Sequence, residues 1–109
     1  NAEQSMSYVK KALPLLQAEL QAGPEGVARF EVLYLLGEYH RRLGDNQKAR
    51  EFFVEVRRTK FTDNDGKTKN GHPYFVGLVR DREKLMAAPT SEAVPAGDPA
   101  STTAPALAP

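Results

Sequence analysis

The stretch LGEYHRRLGDNQKAREFF, residues 36–53, joins two helix patterns through a short connection. Its first half ends an apolar helix pattern over residues 25–43, and its second half opens another over residues 46–59. Between them, Gly44 is typical of the residue at which a helix stops. Because the connection is so short, the two helices are predicted to pack as antiparallel neighbours.

Two further helix patterns flank this pair. Apolar residues recur at three- and four-residue intervals over residues 6–22, where Pro14 predicts either a kink or a regular helix that starts near Leu13. Pro73 stands at the favoured first-turn position of a fourth helix that is predicted to run to about Met86. No segment shows the alternation of a strand, so we predict an all-α fold of about four helices.

The C-terminal segment differs in composition from the rest. Residues 87–109 consist mainly of Ala, Pro, Ser and Thr and contain no aromatic residue. Such a segment buries too little apolar surface to offset the entropy lost on ordering. We therefore predict a helical domain over residues 1–86 and a disordered tail or linker over residues 87–109.

The overall composition excludes several classes of function. A formal net charge of +1 over 109 residues does not favour a dedicated nucleic-acid-binding protein. The absence of cysteine excludes a disulfide scaffold, a Cys-ligated zinc site and a Cys nucleophile. The longest apolar run, residues 32–36, is far too short to cross a membrane. We predict no enzymatic activity, no cofactor, no metal, no nucleic-acid partner and no membrane insertion.

Two features bear on the compartment. The chain begins with Asn1 rather than Met, which leads us to expect processing or truncation. The Ala/Pro/Thr-rich segment suits an exported protein and equally a cytoplasmic linker. We expect a cytoplasmic protein, and the alternative is a periplasmic or exported protein after signal cleavage.

The central helix pair resembles a tetratricopeptide (TPR) repeat over residues 30–63. In that family small residues lie where the two helices cross closely, and larger apolar residues fill the seam. The resemblance implies a structural seam formed by Leu36, Gly37, Gly44, Ala49 and Phe53. Weaker similarity on both sides predicts one complete helix pair flanked by two half-pairs. The sequence departs from the family at Leu33, His40 and Phe61, where Trp, Tyr and Pro are common.

A second resemblance covers residues 37–53. This segment is similar to the C-terminal helices of an uncharacterised bacterial family that joins a Cys-rich, zinc-ribbon-like N-terminal part to TPR-like helices. The 109 residues contain no such Cys-rich part.

Two motifs suggest chemistry, and for each a structural explanation is favoured. His40 stands where the TPR pattern has a Tyr that packs in the core, and no acid or nucleophile is spaced from it as a catalytic partner would be. We therefore predict a half-buried core histidine. Residues 63–66, DNDG, suggest a cation-binding loop. An EF-hand loop needs a closing Glu at the position of His72, and the positive charge of Lys67 does not suit a cation site. We therefore predict a plain turn built on Asp and Gly, within a polar loop over residues 60–72.

Basic residues are concentrated in residues 40–60, which hold seven Lys or Arg against three acidic residues. This local positive charge could bind phosphate or an acidic partner. A solvated helix face with ion pairs along the helix is the favoured interpretation.

The TPR resemblance implies a non-enzymatic protein–protein interaction module that holds a partner peptide or helix on a concave face. By resemblance, that face would carry six residues of the second helix: Glu31, Tyr34, Leu35, Glu38, Arg41 and Arg42. Glu38 and Arg41 would then face the groove and contribute little to folding. Tyr34 and Glu38 replace the Lys and Asn with which some TPRs clamp a C-terminal carboxylate, which disfavours that ligand. The alternative is a small structural subunit that buttresses a larger multiprotein assembly.

Overall fold

The computed structural model describes residues 2–86 and is mainly α-helical, as predicted. The helices are α1 (Ala2–Gln21), α2 (Gly26–Arg42), α3 (Asn46–Arg58) and α4 (Pro73–Leu85). The segment predicted to be a disordered tail, residues 87–109, lies outside the described residues.

The turn between α2 and α3 is set by two adjacent residues. Gly44 has a φ of +84°, a left-handed conformation that a residue without a Cβ adopts at little cost. Asp45 then caps α3, because its side chain accepts a hydrogen bond of 3.1 Å from the backbone N–H of Lys48. The chain therefore reverses within three residues, and α2 and α3 form the most extensive helix contact of the described residues.

The first helix is longer than predicted and passes through Pro14. It begins at Ala2, so of the two alternatives for Pro14 the regular helix that starts near Leu13 is wrong. A proline inside a helix removes one backbone hydrogen bond, and here that loss falls on an exposed position. Val9, five residues earlier, is fully buried and anchors the helix, while Glu3 places a negative charge in its first turn.

A β-hairpin lies between α3 and α4, where a polar loop without strands was predicted. Its strands are β1 (Lys60–Thr62) and β2 (Thr68–Asn70), which pair antiparallel with Phe61 opposite Lys69. The prediction of no strand is therefore wrong. Strands of three residues are too short for alternation to show in a sequence, and only Phe61 packs against the core.

The hydrophobic core surrounds α2, which contacts α1, α3 and α4. Phe30, Leu33 and Tyr34 of α2 meet Phe53 and Val56 of α3 in this core. From α4 and its C-terminal end the core receives Phe75, Val79 and Met86. This central position explains why α2 is apolar around most of its circumference.

Candidate functional site

The six residues predicted on a partner-binding face fall into two groups. Exposed or partly exposed surface remains on Glu31, Leu35, Arg41 and Arg42. Tyr34 and Glu38 are buried, with 8% and 2% of their surface exposed. The expectation that Glu38 lies open on a groove is therefore wrong. A carboxylate is rarely buried unless it is paired, and the structure shows its partners.

Two arginines of the same helix hold the Glu38 carboxylate. Arg41 donates from Nε to Oε1 and from Nη2 to Oε2, each at 2.8 Å, which is a bidentate ion pair. Arg42 donates from Nε to Oε2, also at 2.8 Å. These residues follow Glu38 by three and four positions, the spacing at which helix side chains meet.

A third arginine reaches the same carboxylate from α4. The Nε of Arg82 donates to the hydroxyl of Tyr34 at 2.9 Å and lies 3.5 Å from Oε1 of Glu38. We call these five residues, Tyr34, Glu38, Arg41, Arg42 and Arg82, the Glu38 cluster. The cluster joins α2 to α4, since Arg82 is far in the sequence from Tyr34 and Glu38.

Sequence reasoning missed the role of Arg82, although a signal existed. Arg82 follows the buried Val79 by one helical turn, and Val79 follows the buried Phe75. An arginine in line with an apolar stripe packs its stem along the edge of the core and holds its charged end beside it, where an acidic or polar group can pair with it. That this partner is Glu38 of α2 could be known only once the helices were packed.

Burial and ion pairing act in opposite directions on Glu38. Burial favours the neutral acid and so raises the pKa of Glu38. The hydrogen bonds from Arg41 and Arg42 and the charge of Arg82 lower the pKa by more than burial raises it. The net result is a pKa below the ordinary value of a glutamate. The hydrogen bond to Glu38 in turn raises the pKa of Arg41. At neutral pH the carboxylate is ionised, and three guanidinium groups surround it.

Two residues of the predicted seam, Gly37 of α2 and Phe53 of α3, meet between these helices. Leu36, Ala49 and Phe53 have no exposed surface. A Cβ placed on Gly37 would lie 2.4 Å from Cε1 of Phe53, so the ring occupies the space that a side chain would need. Gly44 stands apart from these residues, at the turn described above.

His40 lies half-buried at the edge of the core, as predicted. Its ring stacks on Phe52 with the ring centres 5.6 Å apart, and its Nδ1 lies 3.9 Å from a carboxylate oxygen of Asp45. Within the described part of the chain, its Nε2 is buried without a hydrogen-bond partner.

The DNDG motif forms the turn of the β-hairpin. The Oδ1 atom of Asp63 accepts hydrogen bonds of 2.9 Å from the backbone N–H groups of Asp65 and Lys67. The prediction of a turn built on an aspartate side chain is confirmed. Residues 2–86 contain no group of three or more His, Cys, Asp or Glu arranged to hold a metal ion.

Arginines of the basic stretch also form ion pairs elsewhere. Arg57 of α3 makes a bidentate pair with Glu83 of α4, in which Nη1 lies 2.9 Å from Oε2. Arg58 pairs with Glu55 along α3 at 3.7 Å. These pairs agree with the predicted charged helix face, and the Arg57–Glu83 pair adds a second polar link between helices distant in sequence.

No helix within residues 2–86 is both long and apolar enough to cross a membrane.

Comparison with known proteins identifies a family over most of the described residues. No curated protein and no solved structure matches the chain. No TPR family matches it either. Residues 1–72 match a family described as an uncharacterized protein conserved in bacteria, DUF2225, and the match spans α1, α2, α3 and the β-hairpin. The chain therefore belongs to this bacterial family.

Proposed function

We propose that the chain is a non-enzymatic protein–protein interaction module that binds a segment of a partner protein on one face of α2 and α4. We call this surface the α2–α4 face. Its members are Glu31, Leu35, Arg41, Arg42 and Arg82.

The exposure pattern of α2 is the observation that supports this proposal. Between Phe30 and Glu38 every residue is buried except Glu31 and Leu35. These two are one helical turn apart, and Arg42 continues the same line two turns after Leu35. Along residues 30–38 the central helix thus keeps one line of accessible residues, formed by side chains of mixed character.

The chemistry of this line suits a protein partner. Leu35 offers apolar surface and also packs against the core, so it is held in place. Glu31 and Arg42 flank it with opposite charges, and Arg is among the residue types enriched where proteins bind each other. The TPR resemblance supports the same face, because it implies that the first helices of successive repeats line one surface.

The buried acid is better suited to a structural than to a catalytic role. Among the described residues Glu38 is the charged residue that is buried. Its lowered pKa keeps it ionised at neutral pH, whereas a general acid or base works best with a pKa near the working pH.

A structural subunit of a larger assembly is the second candidate, and one observation favours it. Tyr8 and Leu15 of α1 are 61% and 72% exposed and stand two helical turns apart on one side of that helix. A permanent neighbour that covered α1 would bury both residues.

Site-specific photo-crosslinking distinguishes the two candidates. p-Benzoylphenylalanine is introduced in place of Glu31, Leu15 or Glu51 in the bacterium that encodes the chain, and adducts are identified by mass spectrometry. The interaction module predicts a discrete protein adduct at Glu31. The exposed Glu51 of α3 is the control and should give none. An adduct at Leu15 alone would favour the structural subunit, and equal adducts at Glu31 and Glu51 would contradict a defined face.

A further inference from the structure

The Glu38 cluster carries more positive than negative charge. Arg41, Arg42 and Arg82 all approach the single carboxylate of Glu38, each with a nitrogen within 3.5 Å of one of its oxygens. One carboxylate neutralises one guanidinium, so the cluster retains an excess of two positive charges. Glu83, next to Arg82 in the sequence, is engaged by Arg57 and does not offset this excess.

Two of the three arginines are open to solvent. The side chains of Arg42 and Arg82 are 47% and 36% exposed, against 21% for Arg41. In the hydrogen bonds of the cluster, Arg42 and Arg82 each donate through Nε. A guanidinium has five N–H donors, so the terminal nitrogens of both side chains lie outside the cluster's own bonds.

The cluster also orients these two side chains before any ligand arrives. Arg42 is held by Glu38, and Arg82 is held by the hydroxyl of the buried Tyr34. A free arginine loses much conformational entropy when it binds, and an arginine already held in place loses less. Planar guanidinium groups fixed in this way suit oxygen anions, which accept two parallel hydrogen bonds.

From this geometry we propose that the α2–α4 face recognises an oxyanion-bearing segment of its protein partner through Arg42 and Arg82, with Glu38 as the positioning residue. The oxyanion is an acidic side-chain carboxylate or a phosphate group. The inference rests on the proposed function and names the chemistry of the partner.

The surroundings favour a protein segment over a nucleic acid. The chain has a net charge of only +1, and Glu31 lies on the same face as the two arginines. A nucleic acid is held mainly by many phosphate contacts, and this face offers two exposed arginines beside the acidic Glu31. A peptide can place its acidic group at the arginines and an apolar side chain on Leu35.

Binding of defined peptides to the full chain tests the proposal. The probes are hexaglutamate, hexaglutamine, a phosphoserine-containing peptide and a single-stranded DNA 20-mer, and NMR follows the arginine Nε–Hε signals. Hexaglutamate or the phosphoserine peptide should shift the signals of Arg42 and Arg82, while hexaglutamine should not. Which of the two binds more tightly identifies the oxyanion. Absence of shifts with both, or tighter binding of the DNA, overturns the proposal.

Matched variants separate a site from general attraction between charges. Arg42→Gln and Arg82→Gln should each weaken binding by about fivefold or more. Both variants leave the bidentate Arg41–Glu38 pair in place, so they should fold. Arg80→Gln removes an exposed arginine from the same helix as Arg82 and should leave affinity nearly unchanged. An equal loss in all three variants overturns the proposal.

Peptide binding by a Glu38→Gln variant tests the positioning role of Glu38. Glu38→Gln removes a negative charge, so general electrostatic attraction predicts tighter binding of an acidic peptide. We expect weaker binding, because Arg42 loses the carboxylate that orients it and Arg82 loses the negative charge 3.5 Å from its Nε. Tighter binding by a folded Glu38→Gln chain overturns the positioning role.

The crosslinking experiment separates this inference from the proposed function. If the adduct at Glu31 forms at wild-type yield in an Arg42→Gln/Arg82→Gln chain, the partner uses the face without these arginines, and the inference is wrong while the function stands. If hexaglutamate binds as expected but no adduct forms at Glu31 in the unaltered chain, the oxyanion site stands and the proposed function falls.

Discussion

The ring of Phe53 fills the space in which a side chain on Gly37 would lie. A Cβ at Gly37 would meet Cε1 and Cδ1 of that ring at 2.4 and 2.6 Å, which is closer than carbon atoms approach one another. Phe53 has no exposed surface and stacks on Tyr34, with ring centres 6.4 Å apart. The close approach of α2 to α3 therefore depends on the absence of a side chain at Gly37.

Gly37→Ala should destabilise the chain by about 1–3 kcal/mol, because the added methyl group overpacks the helix seam. Gly77→Ala is the matched control in α4, where the new Cβ would have no described atom within 4 Å apart from its chain neighbours and the helix's own backbone. It should stabilise the chain by about 0.5–1 kcal/mol through helix propensity. Urea unfolding of both variants measures the difference. Equal effects of the two substitutions would contradict the seam geometry.

A second substitution tests whether the ring itself causes the loss. In the Gly37→Ala background, Phe53→Leu removes ring atoms that the new methyl group meets. It should cost less there than in the unaltered chain, and a double-mutant cycle gives the difference. Strict additivity would show that the two residues do not compete for the same space.

The ion pairs of Glu38 predict a pH-dependent contribution to stability. Because the folded pKa of Glu38 is lowered, its contribution is present above the unfolded value of about 4.3 and is lost as the pH falls through the folded pKa. Glu38→Gln should cost about 2 kcal/mol at pH 7, and this cost should shrink as the pH falls below about 4. Urea unfolding across that range measures it. The exposed Glu31→Gln is the control and should cost little at any pH, and a pH-independent cost at Glu38 would contradict the ion-pair account.

Two glycines of the β-hairpin should respond differently to alanine. Gly66 and Gly71 both have left-handed φ angles, +81° and +85°, so alanine is strained by about 1–2 kcal/mol at either. At Gly71 the new Cβ would also lie 2.7 Å from Cγ2 of Val76, whereas at Gly66 no described residue beyond the two chain neighbours lies within 4 Å of it. Gly71→Ala should therefore lower the melting temperature more than Gly66→Ala. The reverse order would contradict the packing of the hairpin against α4.

The turn at Asp63 predicts stability without calcium. Its carboxylate accepts two backbone hydrogen bonds, so Asp63→Ala should cost about 1 kcal/mol, whether calcium or a chelator is present. Differential scanning calorimetry of the unaltered chain should give the same melting temperature in both conditions. A clear rise with calcium would show that the loop binds the ion.

Residues 87–109 are predicted to be dispensable for folding, because their composition offers little apolar surface to bury. A chain ending at Met86 should keep its helical circular dichroism signal and its melting temperature. A fall of more than a few degrees would show that the removed segment packs against the domain.

Several features of the fold were predictable because they depend on neighbours in the sequence. Gly44 and Asp45 mark the turn between α2 and α3 by backbone conformation and capping, which need few residues. The spacing of apolar residues predicted each helix. The half-buried position of His40 also followed from its place in this pattern.

Other features depended on contacts between segments distant in the sequence. Local sequence shows Glu38 with two arginines a turn away, a pattern that is common on exposed helices. Only the packing of α4 brings Arg82 and its bond to Tyr34 to the same carboxylate, which turns a predicted surface residue into a buried one. The three-residue strands likewise gain their stability from pairing across a turn and from packing of Phe61, not from their own composition.

The amino-acid sequence by itself therefore determined the helices and the turn that joins α2 to α3, because propensity, capping and periodicity act over a few residues. Tertiary structure alone decided which charges are buried and which remain open on the α2–α4 face. The physical reason is that the cost of burying a carboxylate is offset by partners whose positions follow from helix packing.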